Sequence, residues 1–157
     1  MSTTAAAPET YAQHNLRIIP EEEQQAFHAA LRAAIAERAY HLFLQNGGNT
    51  GDDASNWFLA EGEILQRVDQ VREDGAWCAA SASIGTSAPD ALRVLVLEHR
   101  AIISGIQPPE GQVGTYLFIR WPVRVDPATA AAYVKGEELT ITAKQSPHDP
   151  AAEGKSR

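Results

Sequence analysis

At 157 residues, with 20 acidic against 13 basic side chains and a formal net charge of −7, the chain lacks the basic stripe that a nucleic-acid backbone or an anionic bilayer requires. Its single cysteine, Cys78, excludes an internal disulfide and fits a reducing compartment, so a cytoplasmic location is expected. No apolar run approaches the roughly 18 residues of a membrane span, and the N-terminus lacks the basic start and apolar core of a signal peptide.

Residues 1–19 read as a flexible tail. Residues 20–73 then carry ten acidic and four basic side chains and read as a helical hairpin. Pro20-Glu21-Glu22-Glu23 is a helix start, with proline suited to the first turn and three carboxylates to the positive end of the dipole. Phe27, Leu31, Ala34, Ile35 and Leu42 recur at helical spacing, and Gly47-Gly48 ends the run. After a loop, Asp53 suits an N-cap, and Trp57, Ala60, Ile64, Leu65, Val68 and Val71 predict a second helix over residues 54–72. The two stripes zip into an antiparallel pair, with Arg38 expected to pair with Glu61 or Glu63 across it. Ile35, Arg38-Ala39-Tyr40, Gly48 and Trp57-x-x-Ala60-Glu61 together resemble a short bacterial family known only as a domain of unknown function. That resemblance implies a bacterial source and no activity.

At Glu73-Asp74-Gly75 the composition changes: residues 74–145 hold seven acidic and six basic side chains. Trp77–Ile84 and Ala91–Val96 read as strands, as do Ala101–Gly105 and Leu117–Trp121, where Pro122 ends the run. Val123-Arg124-Val125 leads into Asp126-Pro127, read as a turn. Lys135-Gly136-Glu137-Glu138 forms a tight turn before Leu139-Thr140-Ile141-Thr142, which alternates as a half-buried strand does. Residues 146–157 read as a second flexible tail.

These pieces, in order, resemble the α-crystallin domain of the small heat-shock proteins. The resemblance runs over residues 73–145: Ile84-Gly85 where the family has Pro-Gly, a strand closing on Ser104-Gly105, then Trp121-Pro122, Val125-Asp126, Ala132 and Leu139-x-Ile141. It implies an immunoglobulin-like antiparallel β-sandwich, so the expected fold is α+β: a helical hairpin followed by an α-crystallin-like sandwich. Two departures stand out. The turn glycine, Gly136, lies one position early, and Gln107–Gly114 is too short for the extra strand that many bacterial members exchange between subunits. The C-terminal tail also lacks the family's Ile-x-Ile plug. A small homo-oligomer such as a dimer is expected rather than a large cage.

Nothing in the chain assembles a catalytic centre. His28 and His41 lie 13 residues apart on one predicted helix, too far to share a metal, and no cysteine or carboxylate completes a set at ligand spacing. There is no Gly-x-Ser-x-Gly elbow and no phosphate loop. No catalytic residue, metal or cofactor is expected, and the chain reads as a non-enzyme.

The positive signal is an excess of apolar residues on both faces of two strands. Leu92, Val94 and Val96 point one way and Leu95 and Leu97 the other; Leu117, Ile119 and Trp121 likewise oppose Phe118. In a sandwich only one face of each sheet meets the core, so an apolar outer face is either covered or binds something. The small heat-shock resemblance implies a groove for partners at Val94, Val96, Ala132 and Val134, and an ATP-independent chaperone that holds unfolding proteins. The alternative is a co-chaperone-like adaptor whose sandwich binds one specific protein partner; stoichiometry separates the two.

Overall fold

The computed structural model describes residues 13–48, 53–107 and 115–146. Two helices, α1 (Glu21–Gln45) and α2 (Asp53–Ile64), come after a short strand β1 (Gln13–Asn15). Eight more strands follow: β2 (Leu65–Arg67), β3 (Val71–Asp74), β4 (Trp77–Ser83), β5 (Arg93–Val96), β6 (Arg100–Ile106), β7 (Thr115–Arg120), β8 (Val125–Lys135) and β9 (Glu138–Gln145). A helical hairpin followed by an antiparallel two-sheet sandwich is the architecture expected from the sequence.

The start and stop of α1 follow local chemistry. Three glutamates occupy its first turn, and Gly47 and Gly48 take φ of 79° and 73° beyond its end. The Gly48 N–H donates to the Phe43 carbonyl at 2.9 Å, which satisfies an end carbonyl of the helix. The second helix is shorter than predicted. It stops at Ile64, and the rest of the predicted helix, residues 65–72, instead holds β2 and the first half of β3. Val68 and Val71 pack on the sandwich core rather than the hairpin, so burial in the sheets overrides the helical spacing of these residues.

Sheet A runs β1-β8-β9-β4-β3 and sheet B runs β2-β7-β6-β5. All neighbours are antiparallel except β2, which lies parallel to β7 with Leu65 beside Tyr116. The predicted break at Asp126-Pro127 is not a turn. β8 runs through it, with a register shift between Asp126 and Ala131. There the Asp126 carboxylate accepts from the Ala128 N–H at 3.0 Å, and the Thr129 hydroxyl accepts from the Lys144 N–H at 2.8 Å. Side chains thus replace ladder bonds and the strand bulges instead of ending. The early glycine is explained at the β8–β9 hairpin. Lys135 pairs with Glu138 across a two-residue turn, and Gly136 takes φ of 63° at its first position, the type II′ arrangement that requires glycine there.

The described residues form two apolar cores, one on each face of sheet B. Between the sheets lie Val94, Val96, Ile103, Ile119, Val134, Leu139 and Ile141, with Cys78 and Trp121. On the outer face of sheet B, Leu95 and Ile102 meet Phe27, Leu31 and Ile35 of α1 and Ala60 and Ile64 of α2. The doubly apolar strands are therefore covered on both sides, the outer side by the hairpin.

Candidate functional site

The four groove residues converge, but none is open to solvent. Val94 on β5 and Ala132 and Val134 on β8 sit between the sheets, with Val96 two positions further along β5 facing the same core. Val94 and Val134 are fully buried. Replacing Val96 or Val134 with aspartate would put a charge into the core, so it would test folding and not capture.

What lies over them is the chain's own N-terminal segment, a point on which the sequence expectation fails. Residues 13–19 are not tail. Gln13, His14 and Asn15 pair antiparallel with Lys135, Val134 and Tyr133 on β8, the edge they extend. The Leu16 N–H donates to the Ala132 carbonyl at 2.8 Å. The segment then crosses to the other sheet, where Ile18 bridges Val94 in parallel and the Ile19 N–H donates to the Val94 carbonyl at 2.8 Å. One strap thus uses the free backbone groups of two sheet edges, which otherwise stand exposed as templates for pairing.

The side chains of the strap alternate as its backbone requires. Leu16 and Ile18 pack against the core between the sheets, and Arg17 points out. Arg17 meets Glu23 on the first turn of α1 through two hydrogen bonds, of 2.9 and 2.5 Å, and Arg93 on β5 reaches the same carboxylate at 3.0 Å. The hydrogen bonds from Arg17, helped by its charge and by that of Arg93, hold the Glu23 carboxyl below the usual carboxylate range. The three side chains form a latch that ties the strap to the helix and to the sheet edge. The sequence signal was Leu16-Arg17-Ile18, an apolar-polar-apolar triplet next to an otherwise polar tail.

The hairpin ion pair involves Glu63, not Glu61. Arg38 donates from Nε and Nη2 to Glu63 Oε1 at 3.0 and 2.8 Å, and both side chains are partly covered. Glu61 lies two positions earlier and lines a cleft on another side of α2. Cys78 is buried in the core, and burial pushes its thiol up. Among the described residues no group of three or more His, Cys, Asp or Glu is placed to hold a metal, and no helix is long and apolar enough to cross a membrane. The expected absence of an exchanged strand at residues 108–114 and of a plug at residues 147–157 lies outside the described residues.

A family described as "Protein of unknown function (DUF2934)" matches residues 30–66, on the hairpin and the start of β2. Among curated proteins, none matches the chain. Among solved structures, the chain is similar to heat shock protein 16.0 from Schizosaccharomyces pombe at 16% identity, with 57% of this chain and 72% of that chain covered and a TM-score of 0.44. It is similar to stress-induced protein 1 from Caenorhabditis elegans at 19% identity, covering 57% and 71% of the two chains, with a TM-score of 0.41. A mutant of hsp14.1 from Sulfolobus solfatataricus P2 aligns at 17% identity over 64% of this chain and 94% of its own, with a TM-score of 0.40.

Proposed function

We propose that the chain is an ATP-independent holdase, which captures extended apolar segments of unfolding proteins in the slot between β5 and β8. The observation that carries this reading is the strap itself. The slot takes an extended segment with apolar side chains at alternate positions, pairs with its backbone on both edges, and leaves the intervening side chain outside. Backbone pairing reads no sequence, so a slot that accepts Leu16-Arg17-Ile18 suits many unfolded segments of the same pattern. The order of sandwich motifs over residues 73–145 supports the same reading, and a reducing, cytoplasmic setting fits the single buried thiol of Cys78.

A client must displace the strap, so capture is held in check at rest. The test is aggregation of a heat-sensitive client without ATP, comparing the full chain with a Leu16→Asp, Ile18→Asp double variant shown to be folded by circular dichroism. The variant's strap no longer fits an apolar slot, and suppression of aggregation is expected at severalfold lower protein. A peptide of residues 13–20 added to the variant should restore the resting behaviour. Absence of suppression by both folded forms overturns the holdase.

One observation favours the second reading, an adaptor for a single partner. Both apolar surfaces of sheet B are already covered by the chain itself. A cognate strand that binds at fixed stoichiometry, and only in place of the strap, would identify the adaptor.

A further inference from the structure

Beyond the hairpin, the outer face of sheet B gathers positive charge in an otherwise acidic molecule. Arg100 on β6 and Arg120 on β7 are directly opposite each other in register. Arg67 on β2 is in register with Phe118 of β7, and Phe118 and Arg120 share a face by strand alternation. Arg32 of α1 comes over from the hairpin and lies above the Trp57 ring, 5.5 Å from its centroid. None of these four arginines has a carboxylate within ion-pair distance among the described residues, whereas Arg17, Arg38, Arg93 and Arg124 all do.

The arginines border two adjoining clefts that share Arg100 and Phe118. The larger, about 730 Å³, lies between the two helices and sheet B and has Trp57, Phe58 and Phe118 in its wall. The smaller, about 500 Å³, continues past Arg120 to Trp121, whose buried indole N–H has no acceptor among the described residues. Among the described residues, Glu61 is the one carboxylate lining either. Volumes of this size are those of small-molecule sites.

Like charges facing each other across a strand pair are destabilising, and an anion between them removes the repulsion. Guanidinium groups match phosphate and carboxylate oxygens with paired donors, and aromatic walls accept a flat ring. A long polyanion would run off the clefts onto a surface that belongs to a chain of net charge −7, so the favoured ligand is short. We propose that the joined clefts bind a small polyanion bearing an aromatic ring, a ligand of nucleotide type. Its charged end lies on Arg100 and Arg120, and its ring lies against the Trp57, Phe58 and Phe118 wall. The site is separate from the slot under the strap, so ligand would adjust the fit of the hairpin on sheet B without entering the slot.

The test uses the full chain and ATP as the probe, at physiological salt, read by tryptophan fluorescence and by thermal shift. Tripolyphosphate supplies charge alone and adenosine the ring alone. The expected result is saturable ATP binding that raises the melting temperature, with each half-ligand at least about tenfold weaker. Arg100→Glu and Arg120→Glu, at exposed positions, should each weaken ATP by about tenfold or more, while Arg72→Glu, the same charge change on sheet A, should leave it within about twofold. If either reversal fails to fold, Arg100→Gln and Arg120→Gln remove the charge without reversing it. No saturable binding, equal binding by the folded arginine variants, tripolyphosphate binding as tightly as ATP, or an acidic peptide displacing ATP at lower concentration would each overturn the proposal.

Discussion

The strap at residues 13–19 and the hairpin of α1 and α2 both cover apolar surface of the sandwich, but by different means. The hairpin buries Phe27, Leu31, Ile35, Ala60 and Ile64 against Leu95 and Ile102. Each large side chain so buried contributes roughly 1.5–3 kcal/mol. Apart from Ile19, which is buried beneath the hairpin, the strap inserts two side chains, Leu16 and Ile18, that are only partly buried, and adds backbone hydrogen bonds worth about 1 kcal/mol each. Its remaining hold is the Arg17–Glu23–Arg93 latch, whose exposed ion pairs are screened by salt. Surface held by many buried contacts costs more to uncover than surface held by a few edge bonds and an exposed carboxylate. On the proposed holdase reading, the hairpin serves stability and the strap is the part that a client displaces.

The largest effect is expected where the frame beneath both covers is tightest. Gly105 on β6 has φ of 90°, and a Cβ there would lie 2.0 Å from the Ala91 carbonyl oxygen. Gly105→Ala must move backbone, and denaturant unfolding should show a loss of more than about 3 kcal/mol. A loss below about 1 kcal/mol would mean that the 3-10 turn at Pro89–Ala91 yields easily. Next, Ile35→Ala should cost about 2–4 kcal/mol, whereas Ile18→Ala should cost about 1 kcal/mol. Equal costs would erase the distinction between the two covers.

A smaller effect belongs to the hairpin ion pair. A double-mutant cycle on Arg38→Ala and Glu63→Ala should give a coupling below about 1 kcal/mol, while Arg38→Ala and Glu61→Ala should be additive. Coupling to Glu61 instead would contradict the observed geometry. The smallest stability change, and the most specific, concerns acid. The Glu23 carboxyl is held low in the folded chain, so the latch contributes fully above the ordinary carboxyl range and is lost as pH falls through the lowered value. Hydrogen exchange at the Leu16 and Ile19 amides, corrected for intrinsic rates, should therefore accelerate on acidification. In Glu23→Gln it should be fast at neutral pH already and change little below it.

Elements that announce themselves locally were legible in the sequence. The α1 stripe, its glycine stop and the alternating strands follow from periodicity, turn chemistry and motif order. The elements that sequence misplaced are those made by distant partners. Leu16-Arg17-Ile18 is too short to carry a period, and becomes a strap only because the edges at Val94 and Ala132 stand ready far along the chain. β2 is three residues, and its helical spacing was overridden by pairing with Tyr116, Leu117 and Phe118. Asp126-Pro127 has turn chemistry, but hydrogen bonds to Asp126 and Thr129 turned it into a bulge within one strand. Glu61 and Glu63 were equivalent in sequence, and only the rotation of α2 against α1 selects Glu63.

Ile18 and Ile19 are neighbours in the chain, yet Ile18 packs on the core between the sheets and Ile19 on the core beneath the hairpin. One peptide bond therefore joins the two interiors of the molecule. Because Pro20 and α1 follow immediately, the strap cannot travel far from its slot without drawing Ile19 out from under the helix. The two covers therefore meet at adjacent residues, and a strap lifted as far as Ile19 would withdraw that side chain from the core beneath the hairpin.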